Sequence, residues 1–267
     1  MPHQSQSRFG FIRPLSLLIL AMTIVLCTRI ALGQSAKPKF HVVAIAEAGG
    51  IHKPFVDAAK IWLAKEALLD GFSVDYIENT DPIDDAFLSK YQLFIQLNYP
   101  PYNWTPAAVA AFQRYIEEGR GGWIGFHIAA YNDSDTHWPW FLDFLGGGVF
   151  YGNNWPPLPA TLTVDDPHHP IAAHIPSTFL SPSNEWYIWK PSPRLNKDVK
   201  VLLSLSPANY PIGLKDVIKG GDVPVVWTNT RYRMLYLNMG HGDKIFTSDV
   251  QNRLFEDALR WLLAPAP

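Results

Sequence analysis

Four polar residues stand at places where a side chain could do chemistry. His52 follows the apolar run Lys39–Glu47, His127 ends the run Gly121–Phe126, Glu185 lies in the segment "SNEWY", and His241 sits between Gly240 and Gly242. Imidazoles with a carboxylate suit acid–base work. A histidine beside a helix N-terminus has its cationic form disfavoured by the dipole, stays neutral and can accept a proton. On this basis His127 is the expected general base and Glu185 the acid or orienting carboxylate. His52 and His241 are expected to polarise or ligate. Three histidines and a carboxylate also match a zinc-type ligand set, which gives a zinc-dependent enzyme as an alternative. Since no two of the four have metal-ligand spacing in the chain, neither a metal nor any other cofactor is expected from the sequence. A histidine closing an apolar run can also be a satisfied core residue, and that alternative stays open. Other chemistries find no motif: there is no G-x-S-x-G, Walker loop, C-x-x-C or H-E-x-x-H, and "GGWIGF" lacks the G-x-G-x-x-G of a nucleotide site.

These residues need a frame. "KFHVVAIAE", "FSVDYI", "YQLFIQL" and "GGWIGF" are apolar, β-branched runs that read as strands. Between them, Phe55 to Asp70 has helical spacing and Gly71 stops it. Asp81-Pro82 opens a short helical turn. Thr105-Pro106 opens a helix in cap-then-proline order, with Val109, Phe112 and Ile116 on one face and Gly119 after its end. Strands alternating with helices, each strand apolar throughout, imply a single-domain α/β fold: a flavodoxin-like parallel sheet with helices on both faces. Ligands bind such sheets at the carboxyl ends of the strands, where His127 falls. The second half is less regular. It offers a short helix in "DTHWPWFLDFLGGG", a strand "ATLTVDD", a proline-punctuated segment "PHHPIAAHIPSTF" and a short strand or loop "NEWYIW". Three strands follow, "VKVLLSLS", "VPVVWTN" and "RMLYLNMGH". A closing helix is capped by Ser248 or Asp249 and has Phe255, Ala258, Leu259 and Leu262 on its apolar face. "DDPHHP" reads as a proline-fixed turn capped by Asp165 or Asp166.

The 267-residue chain begins with an apparent leader. Arg8 and Arg13 precede an uncharged apolar run, Pro14 to Thr28, and Ala31-Leu32-Gly33 supplies small residues for cleavage. Residues 1–33 are therefore expected to be a signal peptide and 34–267 the working domain, secreted or periplasmic, with no membrane association beyond the signal. An uncleaved anchor is the alternative. The only cysteine, Cys27, lies in the leader, so the domain is held by its core without disulfides. Removing the leader's three arginines leaves 19 basic against 24 acidic residues, a net charge of −5, which argues against nucleic acid as a partner. Ten tryptophans could line a sugar site or fill a core. Trp104, Trp138, Trp186 and Tyr187, in the aromatic stretches "YPPYNW", "HWPW" and "EWYIW", are the candidate substrate contacts, and the expected partner is a small-molecule sugar or glycoside.

"GGWIGFH", then "LTVDDPHHPI" and "NEWY", then "VPVVWTN" with "LYLNMGH" and "FEDALRWLL", follow one another in an order that resembles the ThuA-like family, named for trehalose utilisation, over roughly Phe40 to Leu263. His169-Pro170, Glu185-x-Tyr187, Pro224-x-x-Trp227 and Gly240-His241 carry the resemblance. It implies a class I glutamine amidotransferase-like fold in which the turn after "GGWIGF" would bear a nucleophilic cysteine. Here that turn reads Phe126-His127-Ile128, so amidotransferase chemistry is lost. It also implies a role in metabolism of trehalose-like disaccharides, including 3-keto sugars, by lyase, isomerase or hydrolase chemistry. A non-catalytic carbohydrate-binding or complex-forming module on the same fold is the rival reading. The family's glycine-rich turn before the last strand is replaced here by "NTRYRMLY".

Overall fold

The carboxyl ends of four neighbouring strands lie on one line, and that line positions everything functional. In the computed structural model, which describes residues 37–132, 138–210 and 222–264, Ala46 pairs with Leu97, Leu97 with Phe126 and Phe126 with Leu237. These are the last residues of β1 (Phe40–Ala46), β3 (Leu93–Leu97), β4 (Gly122–Phe126) and β11 (Met234–Leu237). With β2 (Phe72–Ile77) outside β1, the strands run parallel in the order β2-β1-β3-β4-β11. This is the doubly wound flavodoxin-like order.

Helices cover both faces because β1, buried from Val42 to Ala46, sends alternate side chains to each. Val42, Ala44 and Ala46 pack with α1 (Lys53–Asp70) and α5 (Asp249–Leu263), through Phe55, Ala59, Leu63, Phe255 and Leu259. Val43 and Ile45 face the opposite cluster, with α3 (Pro106–Glu117) and α4 (Pro139–Phe144). A four-residue helix, α2 (Asp85–Leu88), precedes β3. Local signals set the ends. Gly71, at φ 74°, donates its N–H to the Ala67 carbonyl and closes α1 in the left-handed conformation that glycine adopts without a Cβ penalty. Ser248 accepts from the Gln251 N–H and caps α5. The cap of α2 is Asp84, accepting from Phe87 N–H at 2.7 Å, and not Asp81. Asp81 sits in the preceding turn, with its own N–H on Asn79 Oδ1.

Beyond β11 the sheet departs from the parallel expectation. β10 (Pro224–Asn229), β9 (Val199–Leu205), β6 (Leu158–Val164) and β7 (Thr178–Asn184) extend it, each antiparallel to its neighbour. The short connections dictate this: only residues 230–233 separate β10 from β11, too few for a parallel crossover. β7, which begins at the end of the proline-punctuated segment and is not anticipated as a strand, is an edge strand, where Pro182 removes no needed ladder donor. β5 (Val149–Asn153), also unanticipated, pairs antiparallel with β8 (Tyr187–Lys190) in a separate two-stranded sheet. The leader expected over residues 1–33 lies outside the described residues.

The Thr105 cap is the most direct test of this reading of helix ends. Its hydroxyl accepts from Ala108 N–H at 3.4 Å, and its own N–H donates to Thr80 Oγ1 at 2.9 Å. Thr105→Ala should lower the unfolding free energy by about 1 kcal/mol in a urea titration, with the slope unchanged. An unchanged midpoint would mean the hydroxyl does not hold the first turn.

Candidate metal centre

Each of the four expected residues leaves the sheet at the line of strand ends or is brought to it. His52 ends the loop after β1 as the N-cap residue of α1 and is 4% exposed. His127 directly follows β4 and is fully buried, with φ 52°. A non-glycine residue in this left-handed region costs about 1–3 kcal/mol and needs surrounding contacts to hold it. Those contacts are present. His127 Nδ1 lies 2.9 Å from the Asn238 carbonyl oxygen, Tyr236 Oη donates to the His127 carbonyl at 2.9 Å, and Asn98 Oδ1 accepts from Ile128 N–H at 3.3 Å. Gly240 packs so tightly here that a Cβ on it would lie 2.8 Å from His127 Cβ. The N–H groups of Gly240 and His241 both donate to Asn184 Oδ1, at 3.1 and 3.0 Å. Glu185 follows β7, and its Oε1 accepts from Asn153 Nδ2.

The four side chains converge. Glu185 Oε2 is 3.1 Å from His241 Nδ1 and 3.3 Å from His127 Nε2. The His52 ring centroid is 5.2 Å from those of both His127 and His241. One donor atom from each of the four residues falls within 4.8 Å of all the others. Burial, the largest influence, pushes the Glu185 carboxyl up, and a proton presented to it by His127 or His241 pulls it down, to about 2. Burial first, then the neighbouring imidazoles, brings His52 down to about 3, and burial also lowers His127. Burial thus favours the neutral forms of His52 and His127 beside the Glu185 carboxyl.

That protonation pattern has a consequence for His127. A carbonyl oxygen can only accept, so the proton of the neutral ring sits on Nδ1, in the bond to Asn238. Nε2 then carries a bare lone pair and faces a carboxylate oxygen. At 3.3 Å the two are close, but no hydrogen bond of acceptable geometry joins them, and among the described residues His127 Nε2, His52 Nε2 and His241 Nδ1 are buried without a hydrogen-bond partner. The bare lone pair of His127 Nε2 and a carboxylate oxygen repel unless a proton or a cation lies between them. A backbone-anchored Nδ1–H that presents Nε2 is the usual outer support of a metal-ligating histidine. Three imidazole nitrogens and one carboxylate oxygen suit zinc or another metal of similar preference, and a tetrahedral site would draw the donors to about 3.3 Å apart.

The expected aromatic contacts fall elsewhere. Trp104 and Trp138 pack on each other at 5.2 Å within the α3–α4 core. Trp186 is fully buried, its Nε1 donating to the Leu158 carbonyl at 2.9 Å. These three fill the interior and offer no face to a ligand. Tyr187 is 4% exposed and lies against His127, centroids 4.3 Å apart, so it walls the centre. In "DDPHHP", Asp166 accepts from His168 N–H at 3.0 Å and His169 Nδ1 from Ile171 N–H at 3.4 Å, the expected turn. The replaced turn "NTRY" precedes β11, at the end of that strand opposite His241. Sequence reasoning missed the asparagines Asn98, Asn153, Asn154, Asn184 and Asn238. Their signal is faint: Asn98 and Asn238 each follow an apolar strand, and Asn153-Asn154 and Asn184 sit beside aromatic runs.

Since Asn153 holds the free oxygen of Glu185, Asn153→Ala should weaken zinc binding about 10- to 100-fold in a chelator competition, with the circular dichroism spectrum unchanged. An unaltered affinity would remove Asn153 from the support of the centre.

The model of the family described as ThuA, trehalose utilisation, matches residues 41–262. A solved ThuA-like protein from Bacteroides uniformis is 48% identical, with a TM-score of 0.81 over 85% of this chain and 93% of that one. A ThuA-like protein from Parabacteroides merdae shares the fold at 18% identity and a TM-score of 0.61, over 86% and 94% of the two chains. No curated protein matches. Over nearly all of its described domain, the chain belongs to the ThuA family.

Proposed function

We propose that the chain is a metal-dependent enzyme acting on a sugar or glycoside, with His52, His127, Glu185 and His241 as the ligands. The observation that carries this is the meeting of four donor atoms within 4.8 Å of one another, with the His127 tautomer fixed by the Asn238 carbonyl so that Nε2 faces the Glu185 carboxyl. A divalent cation held by these four residues would supply Lewis acidity toward a substrate oxygen. The chain's own residues do the rest. Asn153 orients Glu185, Asn184 fixes the backbone of His241, and Tyr187 closes one side of His127 against water. In this reading both nitrogens of His127 are committed, one to Asn238 and one to the ion, so ligation replaces the general-base role expected from sequence.

The sugar assignment and the 3-keto-disaccharide class rest on membership of a family described by trehalose utilisation; in a keto sugar the carbonyl acidifies its neighbouring C–H, which suits lyase and isomerase routes, with hydrolysis as the third route. Location outside the cytoplasm rests on the leader-like residues 1–33. The rival reading, a carbohydrate-binding module built on Trp104, Trp138 and Trp186, loses its contacts because those rings are inside the core.

Purified protein should carry about one divalent cation per chain by elemental analysis, and the double variant His127→Ala/His241→Ala none. Turnover of 3-keto-disaccharides should disappear on chelation, return with zinc, and be lost in Glu185→Gln. Metal-free protein with full turnover would contradict the proposal.

A further inference from the structure

One large aromatic ring beside the four ligands is left in solvent. Trp155 is 59% exposed, and its ring centroid lies 5.9 Å from that of His241, the two rings nearly perpendicular at 77°. An exposed indole offers an apolar face that water solvates poorly, with a polar N–H at its edge. Its backbone is not that of a loose surface loop. Asn153 on one side donates to Glu185. Asn154 accepts from Trp186 N–H at 2.6 Å and donates to the carbonyls of Pro156 and Asn184, at 2.9 and 3.3 Å. The same asparagines that set the ligands therefore set the indole, and a pre-set surface binds without the cost of ordering a loop.

We propose that Trp155 is a stacking platform for a pyranose ring, one of whose oxygens reaches the His52–His127–Glu185–His241 centre. This rests on the metal-dependent sugar reading and narrows it: the substrate binds as a closed ring whose C–H face covers the indole. The 5.9 Å separation from His241 places a ring lying on Trp155 next to the donor set. Open-chain polyols carry the same hydroxyls but have no flat C–H face, so they should bind poorly.

The test uses zinc-loaded full chain, calorimetry with a 3-keto-disaccharide, and sorbitol as the open-chain control. Trp155→Ala should lose about tenfold or more in affinity, as truncation of an aromatic anchor does, with metal content unchanged. Trp155→Phe should recover most of that loss, and sorbitol should bind wild type and Trp155→Ala equally weakly. Equal affinity of wild type and Trp155→Ala for the disaccharide would overturn the platform while leaving the metal-dependent sugar reading intact. A Trp155→Ala variant that cannot be loaded with zinc would also overturn it, by placing Trp155 in support of the metal centre. A wild type that binds no disaccharide would overturn the sugar reading and the platform with it.

Discussion

The hydrogen bond from His127 Nδ1 to the Asn238 carbonyl is the interaction on which the centre depends. It ties the turn after β4 to the turn after β11, and it decides which nitrogen of a fully buried ring is bare. Without it the imidazole could rotate or change tautomer and satisfy Glu185 with its own proton. With it, the ring has nothing to give, and the carboxylate must be answered from elsewhere. Burial sharpens the constraint by disfavouring the imidazolium that would otherwise resolve it.

The surrounding structure is organised to hold that arrangement. A left-handed histidine at a strand end is unfavourable on its own, and its neighbour in the next strand, Asn98, has the same φ of 52°. Buried asparagines span the gaps. Asn98 reaches the backbone of Ile128 and the Gly240 carbonyl, Asn184 reaches the backbone on both sides of the cluster, and Asn238 accepts from Tyr187 N–H at 3.1 Å. Asparagine can donate and accept at once, so it can join irregular backbone segments that have no ladder of their own. The antiparallel half of the sheet enters for the same reason: it carries Glu185, the one ligand that the parallel strand ends do not supply.

The sequence made the parallel half readable because β1, β3 and β4 are continuous apolar runs between helices with clear caps and stops. It also pointed to His127 and His241, since each follows an apolar strand closely. What it could not give was the meeting of four residues separated by at least 50 positions each, because spacing in the chain carries no information about ligands that come from different strands. The substrate aromatics went astray for a related reason. Trp104, Trp138 and Trp186 lie in proline- and aromatic-rich stretches that look like surface loops, but each fills the interior, and the exposed Trp155 has no pattern in its neighbourhood to separate it from them. The antiparallel extension was hidden by strands such as β7, whose proline reads as a breaker until its edge position is known.

The central claim is that four side chains from four separate segments hold one cation. Anomalous diffraction from crystals of zinc-loaded protein tests it most directly. The account predicts a single strong peak within about 2.0–2.2 Å of nitrogen atoms of His52, His127 and His241 and of Glu185 Oε2. Zinc-loaded crystals with no peak among these four residues, or with the metal bound elsewhere on the chain, would contradict it.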